Sequence, residues 1–273
     1  MADGALEEAG TTTAGGATAP PLQVVNVSKS YEVGDNLAHI IRDLTLTLNA
    51  GEIVSIVGPS GCGKSTLLNV ISGLLPPSSG SVFWYGECLS GVPARTGYML
   101  QKDLLLPWRS ALGNVLLGLE IQGVKGAEAI ERAQTMLDRL GLRDFANAYP
   151  ATLSGGQRQR VALARTLVTD PDVMLLDEPF AALDFQSKLL IEGDTAALVR
   201  GEHRAVLLIT HDVEEAVSMS DRVLVLSQRP TYVVRTYDID LPGSRTDMME
   251  ARKSPGFQDV VRAIWDDLQV GGK

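Results

Sequence analysis

A chain of 273 residues that is 45% hydrophobic has ample material for one large or two small cores, which excludes a fibrous or mostly disordered protein. Its formal net charge of -9 argues against a surface that grips nucleic acid by neutralising phosphates, and no apolar run approaches the roughly 20 residues needed to cross a bilayer. Cys62 and Cys88 are the only cysteines, which gives no disulfide framework or metal-ligand cluster and suits a reducing compartment.

Residues 1–21 are rich in Ala, Gly and Thr, carry Asp3, Glu7 and Glu8, and lack a basic cluster or apolar core; they read as a disordered tail, not a signal peptide. From Leu22 to about Leu48 apolar and polar residues alternate, as in Val25, Val27 and then Leu44, Leu46, Leu48, the period of a half-buried antiparallel sheet. Ile53, Val54, Ile56 and Val57 form a buried strand, and Leu67, Leu68, Val70, Ile71, Leu74 and Leu75 recur at helical spacing.

Between that strand and that helix stands GPSGCGKST, which fits the phosphate-loop pattern G-x-x-x-x-G-K-[ST]. Gly58, Gly61 and Gly63 allow backbone conformations closed to other residues, so successive N–H groups can turn around phosphate oxygens at the positive end of the helix. The candidate nucleotide-binding residues are therefore Gly58, Pro59, Ser60, Gly61, Cys62, Gly63, Lys64, Ser65 and Thr66. Lys64 would reach the β- and γ-phosphates, the Ser65 hydroxyl would ligate Mg²⁺, and the small Cys62 side chain would point away from the nucleotide. A glycine-rich turn that happens to precede Lys-Ser is the bland alternative, and the flanking strand and helix weigh against it.

A long excursion follows, with a strand near Ser81 to Tyr85 and helices near Ala111 to Gln122 and Ala127 to Leu140. Residues 102 to about 152 read as a helical subdomain inserted into the nucleotide core. Leu104 to Trp108 is an apolar run that is either buried locally or a docking groove. In LSGGQRQR, Ser154 and Gln157 form a capping box, while Gly155 and Gly156 leave the helix tip bare and free to bind a second anion. VMLLDEP ends a buried strand, Val173 to Leu176, on two acids: Asp177 to hold Mg²⁺ and Glu178 to polarise a water for in-line attack on the γ-phosphate.

Further fully apolar strands run from Val206 to Ile209 and Val223 to Leu226, parallel to the first. His211 follows the former, a fair position for a functional imidazole, whereas His39 and His203 read as surface residues. Past Gln228, Pro230, Pro242 and Gly243 punctuate a short β-like stretch and a polar segment. Phe257, Val260, Val261, Ile264, Trp265 and Leu268 then make one face of an amphipathic helix, which packs on the core or docks a partner.

Over nearly all of Val24 to Ser227, these elements in this order resemble the ATP-binding subunits of ABC transporters. The resemblance implies an α/β fold, a P-loop NTPase core of ABC type with an antiparallel β subdomain and an inserted helical subdomain. That domain would span 22–229, ahead of a short C-terminal extension at 230–273. ATP and Mg²⁺ are the implied cofactors, bound in a nucleotide-sandwich homodimer in which the phosphate loop of one subunit faces Ser154, Gly155, Gly156 and Gln157 of the other. Tyr31 matches the aromatic residue that stacks on adenine, although a lone Tyr near a strand is more often packing. Gln101, in GYMLQKD, matches the glutamine that senses Mg²⁺ and the attacking water; His211 matches the switch histidine at the γ-phosphate; Asp184 matches a loop that crosses the dimer interface. Phe185 and Gln186 carry no readable chemistry.

A single nucleotide domain disfavours translation-factor ABC proteins, and the lack of heptads disfavours chromosome-maintenance ATPases. The loop around Leu104 to Trp108, the segment Ser227 to Pro230 and the terminal FQDVVRAIWDDL look like the nitrate, sulfonate and taurine importer branch. That likeness implies a separate membrane permease, indirectly an extracytoplasmic solute-binding protein, no nucleic acid, and a peripheral place on the cytoplasmic face of the membrane. The competing expectation is a soluble ABC ATPase of an iron–sulfur-type assembly machine, which shares every catalytic motif.

Overall fold

The computed structural model of the chain describes residues 19–201, 203–242 and 246–270. The tail expected at 1–21 lies outside the described residues up to position 18, as does Gly243. The alternating segment forms two long strands, β1 (Leu22–Val33) and β2 (Asn36–Leu48), paired antiparallel with Leu22 opposite Leu48. β3 (Ile53–Val57) is buried throughout and leads through the phosphate loop to α1 (Lys64–Ile71).

The strand expected within the excursion is β4 (Ser79–Trp84), and it returns to the antiparallel sheet: Val82 faces Val24 and Trp84 faces Leu22. With the short β5 (Glu87–Cys88) the order is β2-β1-β4-β5. A strand with no sequence-level expectation, β6 (Thr96–Met99), then enters the parallel core. Its backbone comes close to neighbouring elements, since a Cβ on Gly97 would stand 2.8 Å from Thr166 Cγ2 and 2.9 Å from Pro171 Cγ.

α2 (Ala111–Ile121) and α3 (Ala127–Arg139) form the inserted helical layer, and α4 (Gly155–Leu167) packs against both. Asn114 is buried at the root of α2; its carboxamide accepts from Leu106 N–H at 2.7 Å and donates to the carbonyls of Leu106, Arg109 and Ser110. The chain then builds β7 (Val173–Asp177), α5 (Phe185–Gly201), β8 (Ala205–Ile209), α6 (Val213–Met219) and β9 (Arg222–Leu226). The second sheet has the order β10-β9-β3-β8-β7-β6, parallel except at β10 (Val233–Asp238), which pairs antiparallel with β9.

The polar segment expected after Pro242 instead carries a short helix, α7 (Met248–Lys253), capped by Asp247, whose Oδ1 accepts the N–H groups of Met249 and Glu250 at 3.0 Å. It escapes notice because it shows only two core residues, Met248 and Ala251, within six. The terminal amphipathic helix is α8 (Phe257–Val270), and its stripe packs on the core. Phe257, Val261 and Ile264 join Val57, Val217 and Val223 in one cluster, each fully buried side chain contributing about 1.5–3 kcal/mol, while Trp265 stays exposed.

Candidate active site

The site is built at the C-terminal ends of β3 and β7, the two strands that flank β8 in the sheet. Gly61 and Gly63 adopt φ of +73° and +128°, conformations that L side chains rarely take, and they bend the loop from β3 into α1. A Cβ on Gly63 would also stand 2.8 Å from Ile40 Cγ2. Cys62 is buried in the core, as expected for a side chain turned away from a nucleotide. The Lys64 ammonium donates to the carbonyls of Gly58 at 2.8 Å and Pro59 at 3.0 Å, so it lies across the mouth of the loop.

Asp177, the last residue of β7, is buried, and its Oδ2 accepts the Ser65 hydroxyl at 2.8 Å. Burial raises its carboxyl above the ordinary range, the Ser65 hydrogen bond lowers it, and Glu178 raises it again. Ser65 and Asp177 thus place a hydroxyl and a carboxylate together on the cavity wall, hard oxygen donors of the kind Mg²⁺ takes.

Glu178 has φ of +50°, a left-handed conformation held from both sides. Its N–H donates to Ile209 O at 2.8 Å and its carbonyl accepts Gln159 Nε2 at 3.0 Å. The side chain is thereby turned so that one oxygen, Oε2, accepts Gln101 Nε2 at 3.1 Å and stands 3.4 Å from His211 Nδ1. Two residues from separate parts of the chain, Gln101 and His211, thus meet on one carboxylate.

A cavity of about 250 Å³ opens between these elements, lined by Ser60, Gly61, Gly63, Lys64, Ser65, Thr66, Gln101, Asp177 and Glu178. It also takes in Arg229, which sequence reasoning missed. Thr231 sets this turn against the loop: its hydroxyl donates to Cys62 O, its N–H to Ile40 O at 2.8 Å, and its carbonyl accepts Arg42 N–H at 2.8 Å. No short-range signal marks Arg229, because only the packing of the Ser227–Thr231 segment on the phosphate loop brings it there.

Other expected residues lie apart from this cavity. Tyr31 is exposed on β1 with the Lys29 ammonium 5.2 Å from its ring centre. The capping box at α4 is present, with Ser154 Oγ accepting Gln157 N–H at 3.2 Å and Gln157 Oε1 accepting Ser154 N–H at 2.8 Å. Ser154 and Gly155 are exposed at that helix tip, whereas Gly156 is partly covered, and a Cβ on it would come within 3.2 Å of Ala182 O. Asp184 precedes α5 and accepts Ser187 N–H at 3.0 Å; the Ser187 hydroxyl, this bond and further backbone N–H groups hold its carboxyl below the ordinary range. His39 and His203 are on the surface, as expected. The Leu104 to Trp108 run divides: Leu105 is buried, while Leu104 and Trp108 are 53% and 70% exposed.

The ABC transporter family profile matches residues 41–181, a stretch that includes the phosphate loop, Gln101, Ser154–Gln157 and both acids. The chain belongs to the ABC transporter family. It is 42% identical over 236 residues to the uncharacterized ABC transporter ATP-binding protein MJ0412 of Methanocaldococcus jannaschii, covering 85% of this chain and 88% of that one. It is also 42% identical over 245 residues to the taurine import ATP-binding protein TauB of Pseudomonas aeruginosa PAO1, covering 89% and 93%. Among solved structures, the dimeric post-hydrolysis state of the ATP-binding cassette MJ0796 bound to ADP and Pi is similar at a TM-score of 0.75 and 33% identity, covering 80% of this chain and 99% of that one. The fold is thus that of an ABC ATPase, and this ABC subunit binds and hydrolyses ATP.

Proposed function

We propose that the chain is the ATP-hydrolysing subunit of an importer of a small solute, of the nitrate, sulfonate or taurine kind, working beneath a separate membrane permease. The observation that carries this reading is the similarity to taurine import ATP-binding proteins over about nine-tenths of the chain. Two exposed apolar side chains, Leu104 and Trp108, stand next to Gln101 in sequence and support a docking role for that loop. No helix of the described residues is long and apolar enough to cross a membrane, so the solute path would lie in the partner.

In this reading two copies pair head to tail, and the α4 tip of one, with Ser154, Gly155, Gly156 and Gln157, closes over the phosphate loop of the other. Tyr31 stacks on the adenine, and Lys64 leaves its two carbonyls for the β- and γ-phosphates. Mg²⁺ would be held by Ser65 and Asp177, with Gln101 beside them, and supplies charge neutralisation at the phosphates. Glu178, its Oε2 already shared by Gln101 and His211, orients the attacking water and takes its proton. The same three side chains link the chemistry to the helical layer and so to the permease, because Gln101 opens the loop that holds Leu104 and Trp108. Closure on ATP and reopening after phosphate release would then drive the permease between its states.

The test is affinity purification of the tagged protein from detergent-solubilised native membranes, with partners identified by mass spectrometry. Recovery of a multi-spanning permease is the expected result. Recovery of soluble proteins alone would instead favour an assembly ATPase.

A further inference from the structure

The C-terminal extension reaches the back of the active site through a chain of basic and acidic side chains that is buried at its centre. Arg252, on α7, has a largely buried side chain whose Nη2 lies 3.5 Å from Glu192 Oε2 on α5 and whose Nη1 lies 3.4 Å from Glu214 Oε2 on α6. Its guanidinium also sits over the ring of Phe185, 5.7 Å from the centre, at the first residue of α5. Glu192 is wholly buried and is shared with Lys188, whose ammonium lies 3.7 Å from Glu192 Oε1 and 2.6 Å from both Asp212 Oδ2 and Glu215 Oε2.

The inner end of this chain meets residues already placed near the chemistry. Asp212 directly follows His211 and caps α6, accepting Glu214 N–H at 3.0 Å and Glu215 N–H at 3.1 Å. Lys188 N–H donates to Asp184 O at 2.8 Å. Lys188 and Glu215 also line a small cavity of about 90 Å³ together with Glu178, Thr210 and His211. Two cations thus face four acidic side chains, Glu192, Asp212, Glu214 and Glu215, and two of these acids are fully buried. Removing one cation from such a cluster forces the rest to rearrange, because a buried acid, ionised or protonated, is costly to leave without a hydrogen-bond partner.

We propose that Arg252 is a positioning residue for ATP hydrolysis: through Glu192 and Lys188 it holds the His211–Asp212 turn and the Asp184–Phe185 start of α5 in register with Glu178. Arg252 touches none of the reacting groups. It acts on them by fixing two segments that would otherwise have to be ordered at each closure. The inference rests on the roles proposed above for Glu178 and His211.

The test uses the full-length protein and three variants, Arg252→Met, Arg252→Lys and Met248→Ala. Met248 is buried in the same helix and carries no charge, so its truncation reports the cost of loosening α7 alone. Steady-state hydrolysis of MgATP is measured well below the lowest melting temperature, with hydrogen exchange of the amides at 183–188 and 211–215. Arg252→Met is expected to lower kcat about 3- to 30-fold with KM within about twofold, and to speed exchange in both segments. Arg252→Lys should recover part of kcat, and Met248→Ala should lose stability with kcat near the parent value. A kcat for Arg252→Met within twofold of the parent, or an equal loss in Met248→Ala, overturns the proposal. Absence of turnover in the parent protein would refute the hydrolytic roles instead; in that case unchanged exchange in Arg252→Met still overturns this inference, and faster exchange in both segments upholds the tether.

Discussion

Gln101 donates its side-chain N–H to Glu178 Oε2 at 3.1 Å across 77 residues of sequence. The bond joins the loop that opens the helical layer to the acid beside Asp177, and it leaves Glu178 oriented before any nucleotide is considered. If Glu178 is the base, replacing it by Gln preserves the hydrogen-bonding shape and removes the proton acceptor. Glu178→Gln should retain ATP binding and lose turnover by about 10²-fold or more, read by phosphate release beside a nucleotide titration. Near-normal phosphate release would take Glu178 out of that role.

Lys64 presently satisfies its ammonium with the Gly58 and Pro59 carbonyls, a pair of bonds that phosphate oxygens would replace. Lys64→Ala should therefore weaken ATP binding itself by about 10- to 100-fold, the worth of a hydrogen bond to a charged group. Titration with a fluorescent nucleotide analogue measures it, and unchanged affinity would contradict the assignment of the loop.

Gly63 combines φ of +128° with a contact that any Cβ would make at 2.8 Å on Ile40 Cγ2. Ile40 is buried and branched, so it cannot swing aside cheaply. Gly63→Ala should cost about 1–3 kcal/mol of stability and impair nucleotide binding together, seen as a lower melting temperature and a weaker thermal shift on adding MgATP. A melting temperature equal to that of the parent would show that the loop absorbs the change.

Glu192 gives a pH signature. Burial, reinforced by the nearby Glu215, raises its carboxyl from the ordinary 4.5 to about 8, against the pull of Arg252 and Lys188. The folded pKa lies above the unfolded one, so between these values the folded chain keeps a proton that the unfolded chain has released. Its contribution to stability is greatest below the unfolded pKa and is lost as pH rises toward the folded value. Glu192→Gln cannot ionise, so the stability difference should move in favour of the variant between about pH 5 and pH 8. Denaturant melts at several pH values test this; a difference that does not vary with pH would mean that Glu192 is ionised throughout.

Much of the fold was legible because its signals are local. The buried strands at 53–57, 173–177 and 205–209 are apolar apart from Ser55 and the terminal Asp177, and α2 and α3 follow helical spacing. β6 was not legible: four residues, two of them polar-tipped and one a glycine, carry no period that separates a strand from a loop. β4 was readable as a strand, yet its sheet was not, since the choice between the two sheets depends on pairing with β1, more than fifty residues earlier. The same limit applied to Leu104 to Trp108, where Leu105 is buried and its neighbours are not, although all share one apolar run.

The sequence by itself determined the phosphate loop, the Asp177–Glu178 pair and the capping box at Ser154, because each is a short run of residue types whose chemistry follows from adjacent spacing. Only the tertiary structure decided that Gln101 and His211 meet on one oxygen of Glu178, that Arg229 enters the cavity, and that Arg252 closes a charge chain behind the site. Those contacts join segments far apart in sequence, and what selects them is the stacking of sheet and helices that buries the core, which no local pattern encodes.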